Sequence, residues 1–181
     1  MGGGARRGLL MAAAFRGGAP FRVGLALAVA AAAIDQAVKA WLLYGFGLTE
    51  HSRVPVAPFV DLVLAWNTGI SYGLFQQSGP LWQAVLLAFK LAAVVLLMVW
   101  LARTRSRLVG ASLGLIVGGA VGNVADRALH GAVMDFVLFH VSGATWTFQW
   151  YVFNLADAAI VAGVTGLIYE SLFLQSAAKV P

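Results

Sequence analysis

Four apolar stretches, each about as long as the hydrocarbon core of a membrane is thick, dominate this sequence. A helix needs about 20 apolar residues to cross that core. The stretches that meet this length are residues 23–43, 81–101, 108–125 and 155–174. Because 61% of the residues are hydrophobic and only 10% are charged, an ordinary soluble domain is excluded. We therefore predict an all-α polytopic membrane protein whose four transmembrane helices form one domain, residues 22–174.

The placement of arginine predicts the orientation of these helices. Most arginines precede the first stretch or fill the short link between the second and third: Arg6, Arg7, Arg16, Arg22, Arg103, Arg105 and Arg107. The two longer loops, residues 44–80 and 126–154, contain one arginine each. By the positive-inside rule we predict two outward-facing loops and cytoplasmic termini, with residues 1–21 a disordered tail and 175–181 a second tail. The net charge of +5 is thus a topology signal, and no nucleic-acid partner is expected.

The composition of the two long loops indicates that they are more than connectors. Residues 51–75 are rich in valine and leucine and are interrupted by proline and glycine, a pattern typical of short strands, so we expect a small outward-facing sheet. Residues 128–152 contain six large aromatic residues: Phe136, Phe139, Trp146, Phe148, Trp150 and Tyr151. Such residues favour the bilayer interface. The loops are expected to form a lid and a floor for an apolar substrate, with residues 141–147 as a hypothetical gate.

A row of glycines in the third stretch predicts close helix packing. The row is Gly110, Gly114, Gly118 and Gly122. Four-residue spacing places small residues on one helical face, where two backbones can approach closely. Because Ala159 and Gly163 repeat the spacing in the fourth stretch, we expect the third and fourth helices to pack together and to fix the polar groups at their outer ends.

Carboxylates and amides collect at those outer ends. Asn123, Asp126 and Arg127 can share one face of a helix end, and Asn154 and Asp157 repeat the Asn-x-x-Asp spacing. Asn154 could equally be a helix N-cap. Asp35 and Lys39 lie four residues apart in the first stretch, which favours a structural ion pair over direct catalysis by Asp35.

Paired carboxylates in a dry cleft predict a specific chemistry. At an effective dielectric of about 20, two carboxylates about 4 Å apart repel by about 4 kcal/mol, so they share one proton at neutral pH. The ionised member can activate water while its partner protonates a peptide carbonyl. Spacing alone would pair Asp126 with Asp157. Two features favour Asp135 instead: Arg127 would hold Asp126 ionised, and apolar residues follow Asp135.

Five motifs occur in an order that resembles bacterial lipoprotein signal peptidases, also called signal peptidase II. They are DQAVK at residues 35–39, NTG at 67–69 followed by Phe75, GGAVGNVADR at 118–127, GAVMDF at 131–136 and FNLAD at 153–157. Each motif is weak by itself, whereas five in order on the expected stretches are specific. The resemblance extends from about residue 22 to residue 174.

The resemblance implies a multi-pass aspartic endopeptidase of the bacterial inner membrane with its active site on the periplasmic side. It implies a small periplasmic sheet, a short periplasmic helix, and no metal or organic cofactor. The implied substrates are diacylglyceryl-modified prolipoproteins, cut before the lipidated cysteine, and the implied inhibitors are of the globomycin type. Membrane lipids are the other expected partner, and a monomer is expected. By motif, Asp135 and Asp157 form the catalytic pair. The supporting residues are Asn67, Asn123, Asp126, Arg127, Asn154, Asp35 and Lys39.

Other interpretations of the sequence are weaker. Residues 69–73 fit the G-x-S-x-G pattern of serine hydrolases, but that motif requires a strand-to-helix turn in an α/β sheet. Lys39 or Lys90 could act as the base of a serine–lysine pair, although Lys90 lies in the middle of a stretch, where it is more consistent with a polar interior. The histidines lack zinc-ligand spacing. A membrane scaffold or a small transporter with structural carboxylates remains the alternative to an enzyme.

Overall fold

Four long helices make up most of the protein. The computed structural model describes residues 18–69, 80–143 and 145–174. The helices are α1 (Ala19–Ala40), α2 (Pro80–Arg103), α3 (Arg107–His130) and α4 (Leu155–Tyr169), and π-helical turns at Trp41–Gly45 and Glu170–Leu174 extend α1 and α4. All four are long and apolar enough to cross a membrane. The prediction of a polytopic helical membrane protein is confirmed in this respect.

The helix ends follow from local sequence signals. Helix α3 begins after Ser106, whose side chain accepts a hydrogen bond from the Val109 backbone at 3.3 Å, and ends at Gly131, which has a φ of 72°. Glycine adopts this left-handed conformation without steric cost. The helix continues five residues past the predicted end at residue 125. Hydropathy alone ended the stretch before Asp126, but α3 continues and buries Asp126 and Arg127 within the protein.

Helix α3 lies at the centre of the bundle, and its glycine row contacts α1. A Cβ atom added to Gly110 would lie 2.5 Å from the Pro20 carbonyl oxygen, and one added to Gly118 would lie 2.5 Å from that of Ala28. The third and fourth helices pack together as expected, but the glycine row itself faces α1 for most of its length. Helix α4 packs on a neighbouring face of α3, where a Cβ atom on Gly163 would lie 2.5 Å from the Ser112 carbonyl oxygen.

Both long loops contribute to one antiparallel sheet. Its strands are β1 (Arg53–Ala57), β2 (Val60–Asn67), β3 (Val133–Ser142) and β4 (Thr147–Gln149), in the order β1-β2-β3-β4. The expected sheet is confirmed, but the term all-α is wrong. The aromatic residues of segment 128–152 indicate a bilayer interface and do not predict a strand. Its pairing with a strand about 70 residues earlier leaves no local signal in the sequence. The described loop residues 46–69, 131–143 and 145–154 contain no separate short helix.

The sheet lies at the end of the bundle where α1 and α3 finish and α4 begins. Leu42, Leu48, Met134 and Phe136 form a buried apolar cluster beneath it. In the register of β2 and β3, Ala65 pairs with Asp135 and Asn67 pairs with Val133. This register places Asp135 beside the ends of three helices, and so positions the candidate site.

Several sequence predictions fall outside the described residues. They include most of the predicted tail 1–21, the tail 175–181, Phe75 and most of the G-x-S-x-G segment 69–73. The hypothetical gate, residues 141–147, lies in the β3–β4 hairpin and contains Ala144, which is also outside the described residues.

Candidate active site

Asp135 is a buried carboxylate held by two amides. It lies on β3 with only 3% of its surface exposed. Asn154 Nδ2 donates to its Oδ1 at 2.7 Å, and Asn67 Nδ2 donates to its Oδ2 at 3.1 Å. Burial raises the pKa of Asp135 from 3.8 to about 7, and the nearby charge of Asp157 acts in the same direction. A carboxyl group whose pKa lies near neutral has the property that a catalytic acid needs.

Asp157 lies in the first turn of α4, where the helix start holds it. The Asp157 backbone N–H donates to Asn154 Oδ1 at 2.9 Å, and the Asn154 N–H donates to Asp157 Oδ2 at 3.3 Å. These two bonds form a capping box. Asn123 Nδ2 donates to the other oxygen of Asp157 at 2.9 Å. Amides and a helix N-terminus stabilise an ionised carboxylate at this position.

Asn154 links the two carboxylates and also caps α4. Its side chain is fully buried, and its Nδ2 lies 2.7 Å from Asp135 Oδ1 and 3.0 Å from Asn123 Oδ1. The predicted N-cap and the predicted site residue are therefore the same side chain with two roles. Through Asn123 and Asn154, the geometry of the helix start determines where both carboxylates lie.

A second carboxylate cluster lies on the α1 side of α3. Lys39 Nζ contacts Asp35 Oδ2 and Asp126 Oδ2, each at 2.7 Å. Asp126 also accepts hydrogen bonds from Gln36 Nε2 at 2.8 Å and from the Met134 N–H at 3.1 Å. Asp35 Oδ1 accepts from the Ala156 N–H, in the first turn of α4, at 3.0 Å. The predicted ion pair of Asp35 and Lys39 is present, and it extends to Asp126.

Arg127 has a different partner from the one expected. Its Nη2 donates to the carbonyl oxygen of Gly69, and the Gly69 N–H donates to Asn67 Oδ1 at 3.0 Å. Lys39, and not Arg127, is the cation that contacts Asp126. Arg127 thus holds the turn after β2, and through it the amide of Asn67 that contacts Asp135.

Both members of the predicted catalytic pair line one cleft. It has a volume of about 240 Å³, and its walls include Asn67, Lys90, Asn123, Arg127, Asp135, Asp157, Ile160 and Val161. Asp35 and Asp126 do not line this cleft, so the structure separates the four carboxylates into two sets. Lys90, for which the sequence alone predicts no definite role, lines the cleft with Asp135 and Asp157. Its only signal in the sequence is a cation in the middle of an apolar stretch.

A sequence model of the family described as signal peptidase (SPase) II matches residues 27–173. The chain belongs to this family. Its members are aspartic peptidases, so the protein is a membrane-bound hydrolase, and the scaffold and transporter alternatives are not retained. The family match covers α1 from residue 27 onward, the other three helices and both carboxylate sets described above.

Curated signal peptidase II relatives align over nearly their whole length. The lipoprotein signal peptidase of Rhodopseudomonas palustris strain TIE-1 is 56% identical over 162 residues, which cover 90% of this chain and 99% of the relative. That of Nitrobacter hamburgensis is 57% identical over 162 residues with the same coverage. The lipoprotein signal peptidase of Methylorubrum extorquens is 55% identical over 152 residues, which cover 84% of this chain and 86% of the relative.

Two solved bacterial membrane enzymes share the fold. Both were determined by the in meso method. One has a TM-score of 0.71 at 22% identity and covers 87% of this chain and 91% of its own. The other has a TM-score of 0.67 at 23% identity, and the match covers 83% of this chain and 92% of the solved one. Four helices joined to a small sheet are therefore an established architecture for a membrane enzyme.

Proposed function

We propose that this protein removes the signal peptide from diacylglyceryl-modified prolipoproteins by cutting before the lipidated cysteine. The observation that carries the proposal is the cleft that Asp135 and Asp157 both line, with Asn123 and Asn154 hydrogen-bonded between them. The printed function of the curated relatives supports the substrate class. The family's peptidase activity supplies the reaction, and the cleft supplies the acid and the base.

The two aspartates share one proton in the proposed resting state. Asp135 carries it, because burial and the negative charge of Asp157 raise the pKa of Asp135 to about 7. Asp157 is the proposed base of the pair, because amide N–H groups donate to its oxygens and it lies at the N-terminus of α4. Asn67, Asn123 and Asn154 hold the two carboxylates in place, and Arg127 supports Asn67 through Gly69.

Hydrolysis then proceeds in two balanced steps. Asp157 accepts a proton from water, the water oxygen attacks the scissile carbonyl carbon, and Asp135 gives its proton to the carbonyl oxygen. In the second step the C–N bond breaks: Asp157 returns its proton to the leaving nitrogen, and Asp135 takes one from a hydroxyl of the tetrahedral intermediate. The products are a carboxylic acid on the signal peptide and a free amine on the lipidated cysteine, and the pair is restored; the acid then gives its proton to the amine or to water.

The proposed topology places the cleft at the periplasmic side of the inner membrane. Arg103, Arg105 and Arg107 lie at the end of the bundle opposite the sheet, and the positive-inside rule assigns that end to the cytoplasm. Both termini are then cytoplasmic. The acyl chains of the substrate remain in the lipid while the peptide enters the cleft, and globomycin-type inhibitors are expected to occupy the same cleft. We propose a monomer as the working unit, because one chain supplies the whole pair.

The substrate class is tested by comparing two forms of one prolipoprotein in detergent, with and without the diacylglyceryl group. The expected result is cleavage of the modified form only, with the new amine on the lipidated cysteine identified by mass spectrometry. Ser71→Ala serves as the control for a serine mechanism and is expected to cut like the wild type. Equal cleavage of both forms would overturn the substrate assignment, and no cleavage of either would overturn the function.

A further inference from the structure

Lys90 points from the membrane-spanning helix α2 into the catalytic cleft. Its sequence neighbours Phe89 and Leu91 are 72% and 46% exposed on the outside of the bundle, whereas Leu86, four residues earlier on the face of Lys90, is 5% exposed. Lys90 lies ten residues after Pro80, about 15 Å along the helix at 1.5 Å per residue. A long lysine side chain can bury its stem at this depth while its ammonium reaches a polar site.

The charges that face Lys90 belong to the active site. Within the described residues, those that act on it are Arg127 on α3, Asp157 on α4 and Asp135 on β3. Lys39 on α1 also acts on Asp135 through its charge, but its ammonium directly contacts Asp35 and Asp126 at 2.7 Å each. Residues 70–79 contain no charged side chain. A charge in an apolar span is costly unless it has a counter-charge, so the placement of Lys90 requires a nearby anion.

The charges within and beside the two carboxylate clusters balance only when the Asp135–Asp157 pair carries one proton. The cations are Lys39, Lys90 and Arg127, and the carboxylates are Asp35, Asp126, Asp135 and Asp157. Three positive charges therefore face four carboxylates. With one shared proton on Asp135 and Asp157, the cluster is neutral. Without Lys90, the same protonation state would leave one uncompensated negative charge in a poorly solvated site.

We propose that Lys90 is the counter-ion of the catalytic pair and maintains its singly protonated state. It acts as a positioning residue, through the charge of the pair and not through contact with the peptide. The inference rests on the proposed function for its kinetic consequence, but the charge coupling itself can be measured without substrate. The single-proton state is the active one, so the counter-ion determines the pH range over which the enzyme works.

The kinetic test is the pH–rate profile of Lys90→Met beside Lys90→Arg. Removing the cation makes each proton harder to lose, so both limbs of the profile are expected to move to higher pH by about one unit. At the midpoint of the wild-type acidic limb, the rate should then fall about fivefold. Lys90→Arg should restore the wild-type profile. Arg105→Gln, which removes a cation from the opposite end of the bundle, is the matched control and should leave both limbs in place.

A stability cycle tests the coupling independently of activity. Lys90→Met is introduced into the wild type and into the double variant Asp135→Asn/Asp157→Asn, and the unfolding temperature in detergent is measured. A counter-ion predicts that Lys90→Met lowers this temperature in the wild type but not in the double variant, where Lys90 has lost its anion.

Two results would overturn the proposal while leaving the peptidase assignment intact. One is a Lys90→Met enzyme with an unchanged pH–rate profile. The other is an equal loss of stability or of folded protein in both backgrounds, which would mean that Lys90 only fills space. A wild type that cuts no prolipoprotein would instead overturn the proposed function, whatever the stability cycle gives.

Discussion

The two carboxylate clusters on either side of α3 use the same residue type for different purposes. On the α1 side, Asp35 and Asp126 share the ammonium of Lys39 at 2.7 Å each. On the α4 side, Asp135 and Asp157 are held by neutral amides and line an open cleft. A carboxylate that contacts a buried cation stays ionised and rigid, whereas a carboxylate held by amides beside a second carboxylate can exchange a proton. We therefore propose that the partners of each aspartate, and not its burial, separate a structural role from a catalytic one.

Asn154 and Ala156 connect the two clusters through the first turn of α4. Asp35 Oδ1 accepts a hydrogen bond from the Ala156 backbone N–H at 3.0 Å. Asn154 Nδ2 donates a hydrogen bond to Asp135 Oδ1 at 2.7 Å. The ion-paired cluster thus anchors the helix start that carries Asp157. The comparison predicts that substitutions on the α1 side mainly lower the free energy of unfolding. Substitutions on the α4 side are predicted mainly to lower the rate of cleavage.

Removing the cation of the α1 cluster should have the largest effect on stability. Lys39→Met leaves Asp35 and Asp126 buried without their cation, and breaking such a pair costs about 3–5 kcal/mol. We expect most of the protein to be unfolded or poorly expressed, as measured by chemical unfolding in detergent. Arg105→Gln, the matched loss of one positive charge, should unfold like the wild type. A stable Lys39→Met protein would remove the structural role of this cluster.

Asn154 allows its two roles to be separated. Asn154→Ala loses the N-cap and the amide contacts, and we expect it to lose about 1–3 kcal/mol of stability and most of its activity. Asn154→Ser keeps a capping oxygen but cannot reach Asp135. It should recover stability in unfolding measurements without recovering cleavage. If serine restored both, the amide contact with Asp135 would not matter for catalysis.

The raised pKa of Asp135 predicts how stability depends on pH. Because burial raises this pKa from 3.8 to about 7, the folded state binds the proton more tightly than the unfolded state. The resulting stabilisation is complete below about pH 4 and is lost as pH rises to about 7. The fall in wild-type unfolding temperature over this window should be smaller in Asp135→Asn. Identical pH dependence in the two proteins would contradict a raised pKa at this position.

The smallest effect is expected at a fifth aspartate, Asp61, which is buried on the sheet outside both clusters. Asp61 Oδ2 accepts a hydrogen bond from Arg53 Nε at 2.6 Å, and the Arg53 side chain is 48% exposed. The hydrogen bond from Arg53 lowers the pKa of Asp61, but an exposed partner contributes little to stability. Arg53→Gln should cut prolipoprotein within about twofold of the wild-type rate. A large loss of cleavage would mean that the sheet surface contacts the substrate.

Local patterns in the sequence predicted the transmembrane helices well, but they predicted contacts between distant residues poorly. Apolar length alone located four helices, because it reflects the thickness of the membrane. The strand at Val133–Ser142 was missed, because its partner Val60–Asn67 is far away in sequence and its aromatic residues also suit the bilayer interface. The glycine row correctly indicated close packing, but a one-helix pattern carries no information about which neighbour it meets.

The sequence was sufficient to predict which residues belong to the candidate site. It was not sufficient to predict which of them form hydrogen bonds and ion pairs with one another. Spacing and motifs identified Asp135, Asp157, Asn123 and Asn154, yet they assigned Asp126 to Arg127. The structure places Lys39 there, 87 residues earlier in the chain, and no local spacing rule spans that distance. The position of Lys90 in the cleft likewise depends on how α2 packs on α3, which the sequence of α2 does not encode by itself.

The most direct test of the two-cluster account is cleavage of a diacylglyceryl-modified prolipoprotein by Asp135→Asn, Asp157→Asn and Asp126→Asn, with the folded fraction measured for each. The account predicts that the first two fold but lose more than about a thousandfold in rate, as expected when a catalytic acid or base is removed. It predicts that Asp126→Asn keeps cutting in proportion to its folded fraction. If Asp126→Asn folded fully and were inactive while Asp135→Asn kept cutting, the pair would be Asp126 and Asp157, and the account would be wrong.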